Sequence, residues 1–139
     1  MDLEECQRKG QIKRTIVNEE LIRSLIEISS ANETAVKTAN ITNVTISTYV
    51  STSYDSLREI LEAICISRGY KVLSHVCLGE ILRDLLENFD YNAFDRFRYI
   101  RNGINYYGVK VEFDQGKQVI KKIFEMKNDL LKNHLKKFL

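Results

Sequence analysis

The sequence predicts an all-α domain: an up-and-down four-helix bundle with one or two additional short helices. Three observations carry this reading. No proline occurs in 139 residues. At ordinary usage of about 5%, roughly seven would be present, and proline is the residue that stops helices. Apolar residues recur at three- and four-residue spacing through five separate segments, which is the period of a helix with one buried face. Finally, no hairpin dipeptide lies between alternating strands. Asn102-Gly103 is flanked by Phe97-x-x-Ile100 and Ile104-x-x-Tyr107, again at helical spacing.

Residues 2–9 read as a short helix, followed by a connector through Gly10 and Lys13-Arg14. Asn18 is a suitable N-cap, with Glu19 and Glu20 in the first turn, where carboxylates favour the helix dipole. Leu21, Ile22, Leu25, Ile26 and Ser29, extended by Ala35, Val36 and Ala39, give a helix over residues 18–39. Residues 41–54 set two signals against each other. Their β-branched composition favours a strand, yet Ile46, Val50, Tyr54, Leu57, Leu61 and Ile64 form one continuous helical stripe. Period outweighs propensity, which is a weak prior, so a helix is expected over residues 43–68, ending at Gly69. Ser74 can cap the next helix, with Leu78, Ile81, Leu82, Leu85 and Leu86 as its stripe, across one end of the bundle. Asn92, with Asp95 three residues on, is expected to start a helix that carries Phe94, Phe97, Ile100, Ile104 and Tyr107 inward and stops near Gly108. After a connector over residues 109–113, Asp114 is expected to cap the last helix, whose core stripe runs from Val119 and Ile120 through Ile123, Leu130, Leu131 and Leu135.

Length and composition fit a single domain spanning residues 1–139 with a real core: 44% hydrophobic and 29% charged residues. Cys6, Cys65 and Cys77 are odd in number, far apart and lack a Cys-x-x-Cys. Neither a disulfide framework nor a structural zinc site is therefore expected. No apolar run is long enough to span a membrane, and the acidic start Met1-Asp2-Leu3-Glu4-Glu5 lacks a secretory pattern. A reduced, cytoplasmic domain is the expectation. The formal charge is +2, unevenly placed: residues 96–139 carry eleven basic against four acidic groups, and residues 41–95 four against eight. Such a basic last third either attracts an anionic partner, forms a solvated lysine face, or is neutralised within the fold or across a dimer.

Little in the sequence suggests an enzyme. His75 and His134 are the only histidines, no His-x-x-x-His occurs, and the glycines form no phosphate loop, so no metal and no cofactor are expected. Cys65 falls on an apolar stripe and reads as core. The informative stretch is Phe97 to Gly108. Helical geometry places Arg98, Arg101, Asn102 and Asn105 together away from the core, with Tyr106 one turn from Asn102. Arginine beside amide and phenol groups suits a phosphate. A polar seam that fixes packing or a dimer interface uses the same residues.

Arg101-Asn102-x-x-x-Tyr106-Tyr107-Gly108, after Asp95-Arg96-Phe97-Arg98, resembles the signature of the HEPN superfamily (higher eukaryotes and prokaryotes nucleotide-binding domains), in its small stand-alone archaeal and bacterial form. Residues 1–13, the run from Tyr54 to Ala63, and Gly69-Tyr70-Lys71 followed by Ser74-His75 resemble the same family in order. The resemblance implies a helical bundle, commonly a homodimer. It also implies either a metal-independent endoribonuclease of toxin type or a non-catalytic partner of a minimal nucleotidyltransferase in a toxin–antitoxin-like pair. The family's nuclease motif is an arginine followed directly by a polar residue, with a histidine after four to six intervening residues. Arg101 and Asn102 match it, while Tyr106 holds the histidine position. Histidine titrates near neutral pH and tyrosine near 10, so Tyr106 is a poor proton carrier. The expectation is a nucleotide- or RNA-binding module using Arg98, Arg101, Asn102, Asn105 and Tyr106. The alternatives are a nuclease in which Arg101 works with Tyr106 or His75, and a purely structural dimerisation module.

Overall fold

The computed structural model describes every residue, Met1–Leu139. It contains six α-helices: α1 (Leu3–Arg8), α2 (Glu19–Thr38), α3 (Ile46–Ser67), α4 (His75–Leu85), α5 (Tyr91–Tyr107) and α6 (Phe113–His134), with a terminal 3-10 turn over Lys136–Phe138. No helix is long and apolar enough to cross a membrane. The β-branched stretch is helical from Ile46 onward, as its period requires. The threonines before it form a turn in which the Thr42 amide donates to Thr45 Oγ1 at 2.9 Å.

The helix α3 is the centre of the molecule. Helices α2, α5 and α6 all pack on it, α2 and α6 most extensively. From Ser53 to Ile66 it is buried on nearly every side. Its residues Tyr54, Leu57, Ile60, Leu61 and Ile64 join Ile22, Leu78, Leu82, Phe94 and Ile123 in one contiguous core. Two features let neighbours come close. Ser29 of α2 donates to the Ser56 carbonyl at 2.6 Å. Gly116 of α6 lies where a Cβ would meet Ile46 Cγ1 at 2.5 Å.

Several expectations need correction. Residues 12–14 and 70–72, read as connectors, form an antiparallel pair, β1 (Ile12–Arg14) and β2 (Tyr70–Val72), with Ile12 opposite Val72. Three residues are too few to show an alternating pattern. The caps of the last two long helices fall earlier than expected. Asp90 accepts from the Ala93 amide at 3.1 Å, and Glu112 accepts from the Asp114 and Gln115 amides at 3.1 and 2.8 Å. Both caps thus lie two residues before the expected one, and in each a carboxylate meets the first orphan amides. Leu21 and Tyr107 are exposed rather than core. Gly69 and Gly108 do end their helices as expected, both at positive φ (86° and 65°), where glycine carries no Cβ penalty.

The cysteines are the largest correction. Cys6 and Cys77 form a disulfide, with Cα atoms 5.7 Å apart across 71 residues of sequence, and Cys65 alone is free. The bond ties α1 to α4, and both cysteines are fully buried. Nothing in the spacing signals it, because the pairing exists only once α1 has met α4.

A second non-local tie is ionic. Lys127 of α6 is only 2% exposed; its ammonium meets the Glu33 carboxylate of α2 and donates to the Ser29 carbonyl at 3.3 Å. Burial pushes the Glu33 carboxyl up, but hydrogen bonds from Lys127 and Lys37 outweigh this and hold it below its ordinary value. The two partners are not equivalent. Glu33 keeps Lys37 if Lys127 is lost, whereas Lys127 has no other carboxylate.

Two stability measurements follow from these ties. Replacing Cys6 and Cys77 together with alanine is expected to lower unfolding free energy by about 2–4 kcal/mol, since the cross-link restricts a long loop in the unfolded chain. Urea denaturation checks this, and thiol titration of the unreduced, unfolded parent is expected to find Cys65 alone. Glu33→Leu is expected to lose about 3 kcal/mol because it strands a buried ammonium, while Lys127→Met loses much less. The reverse order in the same urea series would contradict the assignment.

Candidate functional site

The residues singled out on α5 are presented beside the middle of α3 and the start of α4. Arg101 is half-buried. Its guanidinium lies over two aromatic rings, 5.6 Å from the centroid of Tyr54 and 5.4 Å from that of Tyr106. Its Nη1 donates to Tyr106 Oη at 3.1 Å and, over a longer 3.4 Å, to Asn102 Oδ1. Its Nε is buried and has no hydrogen-bond partner. No carboxylate lies within ion-pair distance of it.

The other two arginines nearby are neutralised. Arg58 of α3 meets Glu62 at 2.9 Å, with Asp55 and Glu59 at 3.9 and 4.0 Å. Arg98 holds Asp95 Oδ1 through Nε and Nη2, at 3.1 and 2.8 Å. Arg98 is therefore committed to its own helix. Asn105 is committed as well, its Oδ1 accepting from Ser51 Oγ of α3 at 3.0 Å. Of the five expected binding residues, the structure brings Arg101, Asn102 and Tyr106 together and places Arg98 and Asn105 in supporting roles at the edge.

Two further groups complete the cluster. Tyr54, read from sequence as core, is fully buried, yet its hydroxyl lies 3.2 Å from His75 Nδ1. Burial raises the Tyr54 pKa further from neutrality, so the phenol keeps its proton. His75 opens α4, whose first turn is fixed by Ser74 Oγ accepting from the Cys77 amide at 3.2 Å. Burial and the positive charges of Arg58, Arg101 and Arg98 push the His75 imidazole down to about 4, which makes it neutral at pH 7. A histidine thus reaches the arginine through one shared ring, although the position five residues after Arg101 holds a tyrosine, Tyr106. Helical position alone could have hinted at Tyr54, which sits one turn before Arg58 on α3. The approach of His75 depends on where α4 lies, which no local pattern encodes.

What this arrangement can do chemically follows from the charges. A half-buried guanidinium with no counterion is suited to an anion, which would approach the part of the group left open, since the unpaired Nε has no accessible surface. Its two aromatic neighbours hold the guanidinium plane in place. The basic residues of α6 are elsewhere. Lys117 and Lys121 line a surface groove with Lys37 of α2, and that groove shares no lining residue with the cluster. No group of His, Cys, Asp or Glu side chains is arranged to hold a metal ion.

The depressed His75 pKa sets a pH dependence of stability. The unfolded chain takes up a proton near 6.5, the folded one only near 4, so the unfolded state binds more protons between those values. Stability from this group is complete above 6.5 and falls as the pH drops toward 4. The thermal midpoint of the parent is expected to fall further over that range than the midpoint of His75→Gln. Parallel pH curves for the two proteins would contradict the assignment.

Compared with known protein families, curated proteins and solved structures, the chain finds no match.

Proposed function

We propose that the Arg101 cluster binds a phosphate group of RNA or a nucleotide, in a helical domain of the HEPN type. The observation that carries this reading is the half-buried Arg101 guanidinium, set against two aromatic rings with no acidic partner. In a protein where Arg58 and Arg98 are each matched by carboxylates, an unmatched arginine between two aromatic rings is most simply completed by an anion from outside. Tyr106 and Asn102 orient it. The resemblance noted from sequence points the same way and adds, as part of the proposal, a homodimer and a minimal nucleotidyltransferase as partner.

One observation favours a second reading, a metal-independent endoribonuclease: the contact of His75 with Tyr54. With Nδ1–H donated to the Tyr54 oxygen, Nε2 keeps its lone pair. It could take the proton of a ribose 2′-hydroxyl as that oxygen attacks phosphorus. The P–O5′ bond breaks, the 5′ oxygen leaves with a proton from water, and a 2′,3′-cyclic phosphate remains. Arg101 would stabilise the charge on the pentavalent phosphorus. An imidazole titrating near 4 is a weak base for this work, so binding is preferred.

Both readings are separated by incubating the purified full chain with a labelled single-stranded RNA decamer in EDTA. Fluorescence anisotropy is expected to show binding that weakens steeply from low to physiological salt, and Arg101→Ala to reduce affinity roughly tenfold or more, the loss of one charge-assisted contact. Intact RNA at the end of the assay supports binding alone. Cleavage by the parent that vanishes in both Arg101→Ala and His75→Gln supports the nuclease. Affinity unaffected by salt and by Arg101→Ala would overturn the phosphate reading.

A further inference from the structure

The last two turns of α5 carry an exposed aromatic surface that packing does not explain. Tyr99 and Tyr107 are 76% and 80% exposed. They line a cleft of about 580 Å³ together with Asn102, Gly103, Val109 and Gln115. Gly103 keeps the cleft open. A Cβ placed there would meet only Val109, at 3.6 and 3.7 Å, so a side chain would enter the cleft without striking the core. A mid-helix glycine is unfavourable relative to alanine, and no close helix approach at this position calls for one. The amides of Gly108 and Val109 both turn back onto the Gly103 carbonyl, which fixes Val109 opposite the glycine.

This cleft meets the cluster described above at one residue. Asn102 lines it and also accepts from Arg101 Nη1, so the guanidinium and the cleft are one residue apart. Two tyrosine rings offer flat apolar faces. The amides of Asn102 and Gln115 each offer both donors and an acceptor. Flat π-faces beside mixed amide groups match a nucleobase better than an aliphatic or peptide side chain. We propose that the Gly103 cleft receives an unpaired nucleobase of the same strand whose phosphate Arg101 holds, making the chain a reader of single-stranded RNA. The inference rests on the phosphate reading and extends it. A base inside a duplex could not enter, because its faces are covered by its neighbours in the stack.

The test uses the full chain and two labelled probes, a base-bearing single-stranded RNA decamer and an abasic decamer with the same sugar–phosphate backbone. The parent is expected to prefer the base-bearing probe by roughly tenfold, the usual scale of base–aromatic stacking. Gly103→Leu fills the cleft, and Tyr107→Ala removes a wall from a side chain too exposed to matter for folding. Both are expected to bind the two probes equally, at the parent's affinity for the abasic one. Arg101→Ala is expected to weaken both probes alike. A parent that binds both probes equally, with Arg101→Ala still weakened, overturns the cleft and leaves the phosphate reading standing. A parent that binds neither overturns both. Gly103→Leu that splits a dimer in sedimentation velocity while keeping the preference for bases would assign the cleft to a second copy of the chain and overturn the inference.

Discussion

The burial of α3 on nearly every side is the constraint from which the rest of the structure follows. A surface helix can turn its polar residues to water; one enclosed by α2, α5 and α6 cannot. Yet α3 carries Ser53, Ser56 and Glu59 in its buried part. An unpaired polar group there would cost about 1–3 kcal/mol, so each one specifies a partner. Ser53 bonds back to the Tyr49 carbonyl at 2.7 Å. Ser56 meets Ser29 and so sets the distance to α2. Glu59 takes Asn32 at 3.0 Å, although burial still raises its carboxyl above the ordinary value. The apolar stripe gathers the helices, and these polar pairs decide how they sit against one another.

Tyr54 belongs to the same constraint and carries it to the candidate site. Its ring is core, stacked 6.1 Å from Phe94, while its hydroxyl has to find a partner and finds His75. One side chain thus connects α3, α4 and α5. Its ring supports Arg101 and stacks with Phe94, and its oxygen holds the first residue of α4. Because the Ser74 cap and the Cys77 disulfide also fix that turn of α4, His75 and Arg101 are held in place before any ligand arrives. Preorganisation of this kind lowers the entropy lost on binding.

What was legible in the sequence divides by range. Local signals performed well where burial is one-sided or complete: the period of Ile46 to Ile64 outweighed a β-branched composition, the Asn18 and Ser74 caps formed as read, and Gly69 and Gly108 took the left-handed conformation. Signals that depend on distant parts meeting were silent. The Cys6–Cys77 bond, the β1–β2 pair and the Glu33–Lys127 ion pair each join segments more than fifty residues apart. Tyr107 shows the intermediate case. It lies on the apolar face by angle, yet its side chain is left exposed. At the candidate site, α5 geometry grouped Arg101, Asn102 and Tyr106 correctly, because they share one helix. Asn105 and Arg98 were grouped with them too, since a single helix cannot reveal that Ser51 and Asp95 already occupy those side chains.

The charge pattern ends in the same place. The basic last third of the chain, read from sequence as one anion-seeking region, separates in space into different kinds of lysine and arginine. Lys127 is buried and matched, Arg98 is matched on its own helix, and Lys117 and Lys121 line a groove with α2. A net charge distributes attraction over a surface, but selectivity comes from the one cation whose geometry is fixed and whose counterion is missing. Arg101 meets both conditions, half-buried against two rings with no carboxylate partner. A guanidinium held half-buried between Tyr54 and Tyr106 has given up part of its hydration without receiving a carboxylate in return. The two ring contacts and the Tyr106 hydrogen bond offset part of that cost, while the Nε stays without a partner. Under the proposal an anion meets the open part of the guanidinium rather than the buried Nε, and the cleft beside Gly103 then lies one residue from the phosphate, where the ligand's next flat group has room.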